Sequence, residues 1–263
     1  MNSSTGFDRI QFWREGRVGV IALDHGPLNL IDQAMLEQIS SALLVANGDD
    51  KVEVLAITGS GRSFFSAGVD WRSVSNPENF LKASKALVSL ITSFEKPTVT
   101  LVNSHAFGGG LELSLLTDFR FTREGTLLAF PEGKVGLPTV FLGIYFFGKL
   151  AGQSVARRVF CIGENITSEE ALRLNLADRI LPRANFYGEA QSVLSGLPSS
   201  SPALSVTKKI FQDPAGIRLA DEVERRYVSQ YLGKLPGEKE GGASSVERLR
   251  EEISGALENE PCS

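Results

Sequence analysis

Three short segments combine residue types that could do chemistry and are unusual in purely structural elements. Residues 63–70 leave an apolar run and end in small side chains, which allow the backbone to approach a ligand closely. Residues 103–112 contain three consecutive glycines at the start of an apolar stretch, where each glycine costs about 1 kcal/mol relative to alanine. Residues 130–132 place the carboxylate of Glu132 after a short apolar run. A requirement other than the formation of a strand or helix should therefore explain why these residue types occur in the three segments.

The glycine run from Gly108 to Gly110 predicts a helix start that can bind an anion. The first N–H groups of a helix have no partner within it and point along its dipole, so they suit a phosphate or a developing oxyanion. A tight crossing of a helix and a strand would require the same glycines for packing alone. Both interpretations stay open at this point. The Gly-Lys-Ser/Thr signature of a Walker-type phosphate loop does not follow.

Two glutamates are candidates for acid–base chemistry. Glu112 lies three residues after Gly109, so one helical turn places its carboxylate on the side of the Gly109 N–H. Glu132 comes from a different element. Two carboxylates that face one substrate can supply and accept protons, and their crowding makes the titration a property of the pair. A single glutamate is more often a surface or ion-paired residue.

The composition limits the classes of protein to which the chain could belong. Its 263 residues are 42% hydrophobic, which is enough for a large core, and a formal net charge of −4 argues against general nucleic-acid binding. The lack of a long apolar run and the polar N-terminus predict neither a membrane span nor a secretory signal. Two cysteines and two histidines without metal-ligand spacing predict no disulfide framework and no metal site. We therefore expect a cytoplasmic protein.

The elements that must position the three segments alternate between strands and helices. Apolar and β-branched runs predict strands at 10–13, 18–23, 52–58, 99–102, 119–122 and 127–130. Helices are predicted after Asp32, after Pro77 and after Gly110. This order is typical of α/β units, in which helices cover a mostly parallel sheet.

The second half of the chain is predicted to be mostly helical from about residue 146. Residues 167–170 have the pattern of a capping box, and a helix is predicted over 202–211. A further helix has an apolar stripe of Ile217, Ala220, Val223, Tyr227 and Tyr231. A polar, glycine-rich stretch over 237–245 precedes a charged final helix.

In their order and spacing, the three segments resemble the crotonase (enoyl-CoA hydratase/isomerase) superfamily. The family's Phe-x-x-Gly-x-Asp loop is matched at 65–70, its Gly-Gly-Gly-x-Glu-Leu helix start at 108–113, and its Pro-Glu pair at 131–132. Glu112 and Glu132 are 20 residues apart, as in the hydratases of this family. The similarity extends from about residue 8 to about residue 240.

The resemblance implies an α/β fold, the crotonase-like spiral of ββα units with a helical C-terminal region. Residues 1–200 would form the core with the acyl-CoA site, and residues 201–263 would serve oligomerisation and cover the site. Family members are usually trimers or pairs of trimers, so a homotrimer or homohexamer is expected. The implied substrate is a coenzyme A thioester, with no further cofactor and with no nucleic-acid or membrane partner.

The resemblance also assigns backbone roles in the site. The N–H groups of Val69 and Gly109 would form an oxyanion hole, in which fixed donors stabilise the thioester oxygen as it gains charge. Ala67, Gly68 and Asp70 would belong to the CoA-binding loop, with the Ala67 carbonyl near the adenine and with Asp70 ordering the loop.

The implied reaction is the addition of water to the double bond of a 2-enoyl-CoA. Glu112 and Glu132 would divide the work: one activates water for attack at the β-carbon, and the other supplies the proton that ends on the α-carbon. Three alternatives remain. The same fold can move a double bond using mainly Glu132, it can perform other acyl-CoA enolate chemistry, or it can be a non-catalytic or RNA-binding homologue. The acidic charge and both glutamates disfavour the last.

One segment departs from the family pattern. After the Pro-Glu pair, hydratases usually continue Gly-Leu-x-Pro-Gly-x-Gly-Gly, whereas residues 136–147 of this chain retain Gly143 as one of the later glycines and are otherwise bulky and apolar. We therefore predict that Phe141, Leu142 and Tyr145 reshape the acyl pocket, for a bulky or cyclic acyl group. Core packing is the alternative interpretation of these side chains.

Overall fold

Two β-sheets form the centre of the protein in the computed structural model, which describes residues 6–198, 202–211 and 213–232. The described residues form the strands β1 (Ile10–Glu15), β2 (Val18–Leu23), β3 (Val54–Gly59), β4 (Phe64–Ser66), β5 (Thr98–Val102), β6 (His105–Phe107), β7 (Phe119–Arg123), β8 (Leu127–Ala129), β9 (Ile166–Thr167) and β10 (Arg179–Leu181). Their helices are α1 (Gln33–Gly48), α2 (Pro77–Thr92), α3 (Gly109–Ser114), α4 (Glu132–Val135), α5 (Gly143–Ala151), α6 (Gln153–Ile162), α7 (Ser168–Arg173), α8 (Phe186–Gly196), α9 (Pro202–Phe211) and α10 (Pro214–Leu232).

A repeated unit of two strands and one helix connects the sheets. The six-stranded sheet has the order β1-β2-β3-β5-β7-β10, and the four-stranded sheet has the order β4-β6-β8-β9. Three times in succession, the chain passes from a strand of the larger sheet to a strand of the smaller sheet and then into a helix: β3-β4-α2, β5-β6-α3 and β7-β8-α4. The strands β4, β6 and β8 are parallel to one another. The ββα repeat predicted for the fold is confirmed.

The central strands of the larger sheet, β2, β3 and β5, are buried on both faces. In β3, Leu55 and Ile57 contribute to the main core with α1 and α2, whereas Val54 and Ala56 contribute to a second core beneath α8. Burial on both faces explains why this strand is an almost continuous apolar run without polar alternation.

Predicted helix starts are confirmed where a capping side chain exists. Asp32 accepts a hydrogen bond from Met35 N at 2.7 Å and begins α1, and Asn76 caps α2 with Pro77 in the first turn. The predicted capping box is present at the start of α7, where the Thr167 hydroxyl and the Glu170 carboxylate each bind the backbone of the other residue.

The strands β4, β6, β9 and β10 were absent from the predicted pattern. Each has two or three residues, and so short a segment cannot show the alternation from which a strand is recognised. The first two lie inside the segments that were singled out for their chemistry. The prediction of a mostly helical chain after residue 146 was therefore incomplete, because β9 and β10 interrupt it.

The helix predicted over 202–211 is confirmed as α9, whereas the apolar stripe of α10 is divided. Ile217 and Ala220 pack against the core, while Val223 and Tyr227 are 58% and 61% exposed. The side chain of Tyr231, the stretch 237–245 and the charged final helix lie outside the described residues.

Candidate active site

The three segments singled out in the sequence meet at one edge of the smaller sheet. In the parallel register, Ser66 of β4 lies beside Ala106 of β6, and Phe107 of β6 lies beside Ala129 of β8. The chain therefore leaves three neighbouring strands on the same side, at their carboxyl ends. Crevices at the carboxyl ends of parallel strands are the usual place for ligand sites in α/β proteins.

Gly108 and Gly110 allow the start of α3 to approach the other two segments. A β-carbon on Gly108, which has a φ of +51°, would overlap Oε1 of Glu132. A β-carbon on Gly110 would overlap the carbonyl oxygen of Ser66. Gly108 therefore makes room for a carboxylate and Gly110 for a strand, so close packing requires both glycines, while anion binding at this helix start stays a prediction.

Gly109 and Val69 face each other across the site. A β-carbon on Gly109 would lie 3.4 Å from Val69 N and 2.9 Å from Val69 Cγ2. Ile31 forms a parallel bridge with Val69. The Ile31 N–H donates to the Gly68 carbonyl, and the Asp70 N–H donates to the Ile31 carbonyl, each at 2.9 Å. In such a bridge the N–H of the central residue points away from the bridging strand. The Val69 N–H is therefore directed away from Ile31.

Glu132 has a buried carboxylate beside this pair of backbone segments. Its side chain is 3% exposed, and its Oε2 has no hydrogen-bond partner among the described residues. Burial raises the pKa of Glu132 to about 7, while hydrogen bonds from its own N–H and from that of Gly109 act in the opposite direction. A carboxyl group that titrates near neutral pH can both accept and release a proton.

Glu112 has a different environment, although it is also buried. Its carboxylate accepts hydrogen bonds from the N–H groups of Val140 (3.1 Å), Phe141 (2.8 Å) and Gly143 (2.9 Å). Burial raises its pKa well above the ordinary value, and the charges of Glu224 and Glu132 add to this, whereas the N–H groups lower it. The carboxylate of Glu112 thus holds the loop that departs from the family pattern. Gly143 is required there, since its β-carbon would lie 2.8 Å from Oε2 of Glu112.

Glu224 on α10 is a second carboxyl group at this loop, and it was not among the residues predicted from the sequence. Its Oε2 accepts a hydrogen bond from Leu142 N at 3.1 Å, and its Oε1 accepts one from the Thr139 hydroxyl. Burial of the carboxylate raises the pKa of Glu224 to about 7, and these two donors lower it. Its position in the sequence could have indicated this role, because Glu224 is four residues from both Ala220 and Val228 and so lies on the same face of α10. A charged side chain among apolar residues on an inward face requires a partner.

The predicted CoA-binding loop is ordered by its own backbone. Ala67 N donates to the Leu28 carbonyl at 2.9 Å, and Gly68 has a φ of +106° that favours glycine. The Asp70 carboxylate accepts a hydrogen bond from Arg72 N at 3.3 Å, which closes the following turn. These contacts fix the conformation of the loop, and the binding of CoA by it stays a prediction.

The three predicted acyl-pocket residues occupy different places. Phe141 is fully buried, and its Cε2 would lie 3.2 Å from a β-carbon on Gly109. Leu142 lines two cavities, one of about 280 Å³ between α2 and α10 and one of about 800 Å³ between α5, α10 and the loop after Glu132. Tyr145 lines only the larger cavity and donates its hydroxyl to Asp213 at 3.1 Å.

His105 has a structural place among aromatic rings. Its Nδ1 accepts a hydrogen bond from Leu127 N at 3.1 Å, and its ring packs against Phe64 and Phe107. The described residues contain no group of three or more side chains that could hold a metal ion. No described helix combines the length and apolar character needed to span a bilayer.

Comparison with known proteins relates this arrangement to a family. The family model described as enoyl-CoA hydratase/isomerase matches residues 14–252. The chain is 30% identical over 210 residues to carnitinyl-CoA dehydratase from Salmonella enteritidis PT4, which covers 78% of this chain and 80% of that protein.

Solved structures share the fold. DspI from Pseudomonas aeruginosa is 25% identical, covers 87% of this chain and 98% of its own, and superimposes with a TM-score of 0.74. An enoyl-CoA hydratase from Mycobacterium avium subsp. paratuberculosis K-10 is 22% identical, covers 92% of this chain and 97% of its own, and has a TM-score of 0.79.

Proposed function

The chain belongs to the enoyl-CoA hydratase/isomerase family, and from this premise we propose that it adds water to the double bond of a 2-enoyl-CoA. It is an enzyme of that family and has the crotonase fold. The observation that carries the proposal is the buried Glu132 carboxylate, with a pKa of about 7, beside the facing backbone of Val69 and Gly109.

The proposed oxyanion hole uses the N–H groups of Val69 and Gly109. When the oxygen of water adds to the β-carbon, electron density moves through the α-carbon to the thioester oxygen. Each fixed donor stabilises the negative charge that develops on this oxygen by about 3 kcal/mol. In the structure, the Gly109 N–H interacts with the Glu132 carboxylate. Substrate oxygen would compete for this donor and leave Glu132 available for proton transfer.

Glu132 and Glu112 are the proposed acid–base pair. Ionised Glu132 removes a proton from water as the water oxygen attacks the β-carbon. Glu112 supplies the proton that ends on the α-carbon, so one water molecule is added overall. Glu112 is suited to hold that proton, because burial and two neighbouring carboxylates raise its pKa well above the ordinary value. The substrate is the coenzyme A thioester itself, and the proposal requires no further cofactor.

One observation favours a second candidate, the movement of a double bond by Glu132 as the main base. The Glu112 carboxylate already accepts three backbone N–H groups of residues 140–143, so a proton transfer would disturb the loop that it holds. An isomerase needs a single group to remove a proton at one carbon and return it at another. The second candidate therefore assigns Glu112 to the loop and the chemistry to Glu132.

Absorbance of the conjugated thioester separates the two candidates. Hydration removes conjugation and lowers the absorbance of a 2-enoyl-CoA, whereas isomerisation of a 3-enoyl-CoA towards conjugation raises it. We expect the first result. A rise with 3-enoyl-CoA substrates and no change with 2-enoyl-CoA substrates would favour the isomerase.

We further propose that the acyl group is bulky or cyclic, because Phe141 and Leu142 replace small family residues near Gly109 and the two cavities. A panel of crotonyl-CoA, longer-chain, cyclic and aromatic enoyl-CoA esters, together with carnitinyl-CoA, tests this. The proposal predicts a higher kcat/KM for the bulkier esters. Equal turnover of crotonyl-CoA and of these esters would contradict it.

A further inference from the structure

Two carboxyl groups from separate helices bind the loop 139–143. Glu112 of α3 accepts the N–H groups of Val140, Phe141 and Gly143, and Glu224 of α10 accepts the remaining N–H of the run, that of Leu142. Four consecutive backbone donors are thus divided between the two carboxyl groups. The Thr139 hydroxyl, one residue earlier, also donates to Glu224.

The residue that Glu224 binds has an unusual backbone conformation. Leu142 has a φ of 60°, in the left-handed region that side-chain-bearing residues rarely adopt. Such a conformation persists only where the surroundings hold it. The bond from Leu142 N to Glu224 fixes this residue on one side, and the bond from Gly143 N to Glu112 fixes the next residue on the other.

Glu224 also has a fixed position of its own. On the same helix, Asp221 forms an ion pair with Lys85 of α2 at 2.9 Å, and Arg225 donates to the Leu81 carbonyl at 3.5 Å. Asp221 and Arg225 also pair with each other at 2.9 Å. The helix α10 is therefore anchored to α2 on both sides of Glu224, and it transmits that position to the loop.

Both Glu224 and Leu142 line the two cavities on either side of the loop. The smaller cavity is bordered by apolar side chains of α2, such as Leu81 and Val88, and the larger one by Tyr145 and the apolar face of α10. A shift of Leu142 would therefore change the size of both cavities together. Glu224 links α10 to this loop by two hydrogen bonds, one from Leu142 N and one from the Thr139 hydroxyl.

We infer that Glu224 is a positioning residue that sets the wall of the acyl pocket by holding Leu142, and that it thereby selects the size of the acyl group. This inference rests on the proposed function, because it takes the space beside the loop 139–143 as the site of the acyl group. Glu224 does not touch the reacting carbons and transfers no proton in the reaction. Its contribution is to the binding of the acyl chain.

The first test is hydrogen exchange of single backbone amides, measured by NMR in the full chain. Glu224→Leu removes the acceptor of Leu142 N, so the Leu142 amide should exchange at least about tenfold faster, whereas the Phe141 amide, held by Glu112, changes less. Glu224→Gln keeps an amide oxygen as acceptor and should restore slow exchange. Unchanged exchange at Leu142 in Glu224→Leu would overturn the inference.

The second test is the separation of KM from kcat over the acyl-CoA panel. Glu224→Leu should raise KM about fivefold or more for the preferred acyl group, with a smaller change for crotonyl-CoA, because a loosened wall loses contacts with a large group. Glu224→Gln keeps an acceptor for Leu142 N, so it should raise KM for the preferred acyl group less than Glu224→Leu does. A fall in kcat of the same size for every ester, with KM unchanged, would contradict a positioning role.

Glu222→Gln is the matched control. Glu222 lies on the same helix, its side chain is 70% exposed, and it pairs only with Arg226 at 3.5 Å among the described residues. This variant should leave exchange and kinetics unchanged. A parent protein that turns over no acyl-CoA would contradict the proposed function. Exchange of the Leu142 amide would still decide the role of Glu224, because amide exchange requires no turnover. If Glu224→Leu does not fold, Glu224→Ala, which also lacks the acceptor, decides: a Leu142 amide that exchanges no faster than in the parent, or a rise that is equal at Phe141, would overturn the inference.

Discussion

Three glutamates with buried carboxylates differ through their surroundings rather than their residue type. Glu132 has a carboxylate oxygen without a partner among the described residues, Glu112 accepts three backbone N–H groups, and Glu224 accepts one N–H and one hydroxyl. A group with an unpaired oxygen is free to exchange a proton, whereas one that holds a loop would disturb it by doing so. The geometry therefore ranks Glu132 first for chemistry.

The raised pKa of Glu132 predicts how stability depends on pH. With an ordinary pKa of 4.5 when unfolded and about 7 when folded, Glu132 binds more protons in the folded state between these values. Its contribution to stability is complete below pH 4.5 and is lost as the pH rises through about 7. Urea denaturation should show a fall in the free energy of unfolding over this range to which Glu132 contributes up to about 3 kcal/mol, and Glu132→Gln should reduce the fall by up to that amount. An identical slope in the variant would contradict the burial of a titrating group at this position.

Gly108→Ala should impair the site without unfolding the protein. The new β-carbon would displace the Glu132 carboxylate, and a misplacement of about 1 Å lowers activity by about a hundredfold. Gly125→Ala is the control, because Gly125 also has a positive φ, +76°, but lies at an exposed turn where its β-carbon meets only Arg183 at 3.9 Å. Both variants should lose similar stability, measured by urea denaturation, but only Gly108→Ala should lose activity. Equal activity of the two would contradict the assigned role of Gly108.

Part of the site was predictable from residues, and part was not. The glycine run and Glu132 were found because glycine is costly at a helix start and a carboxylate is unusual after a buried strand. The partners of Glu112 were not predictable, since backbone N–H groups of the distant loop 139–143 have no signature in the sequence. Glu224 lies on α10, far from the motifs along the chain, and only the fold brings it to the loop.

At the scale of elements, the shortest strands position the site. The parallel strands β4, β6 and β8 have three residues each, and the loop, the glycine run and Glu132 all follow directly from their ends. They were not predicted as strands because a three-residue run, buried on all sides, has no periodicity to detect. The longer elements with capping residues, α1, α2 and α7, were predicted correctly because their starts depend on local side chains.

The start of α1 should contribute to stability, and it is joined to the loop that carries Val69. Asp32 caps the helix through Met35 N and pairs with Arg9 at 2.8 Å, while the preceding Ile31 bridges Val69. Asp32→Ala should lower the free energy of unfolding by about 1 kcal/mol through loss of the cap. Asp32→Asn keeps the cap and loses only the charge, so urea denaturation should find it closer to the parent protein. An equal loss in Asp32→Asn and in Asp32→Ala would show that the ion pair, and not the cap, stabilises this start.

At the scale of the whole molecule, the ββα repeat and the family were predicted from the order of the motifs, and the inward face of α10 only in part. The face of α10 that meets the core carries Ile217, Ala220 and Val228, whereas Val223 and Tyr227 lie on the adjacent exposed face. The sequence pattern grouped these residues into one stripe because all are apolar. Packing of α10 against α2 and the loop 139–143 determines which of them turn inwards.

The exposed apolar face of α10 supports the proposal that the protein is a homotrimer or homohexamer. Leu219, Val223 and Tyr227 are 64%, 58% and 61% exposed. Ile144 of α5 is 42% exposed and lines, with these three residues, the cavity of about 800 Å³ between α5 and α10. Contiguous apolar surface of this kind is typical of interfaces. Tyr227→Glu should lower the mass measured by analytical ultracentrifugation, while the exposed Glu222→Gln should leave it unchanged. A parent protein that sediments as a monomer would contradict the proposal.

The absorbance of a conjugated 2-enoyl-CoA, followed with the parent protein and with Glu132→Gln, tests the central claim most directly. The parent should lower the absorbance as water adds to the double bond. Glu132→Gln preserves the shape of the side chain but cannot accept the proton, so its rate should be at least about a hundredfold lower. A variant that lowers the absorbance as fast as the parent would contradict the assignment of Glu132 as the group that activates water.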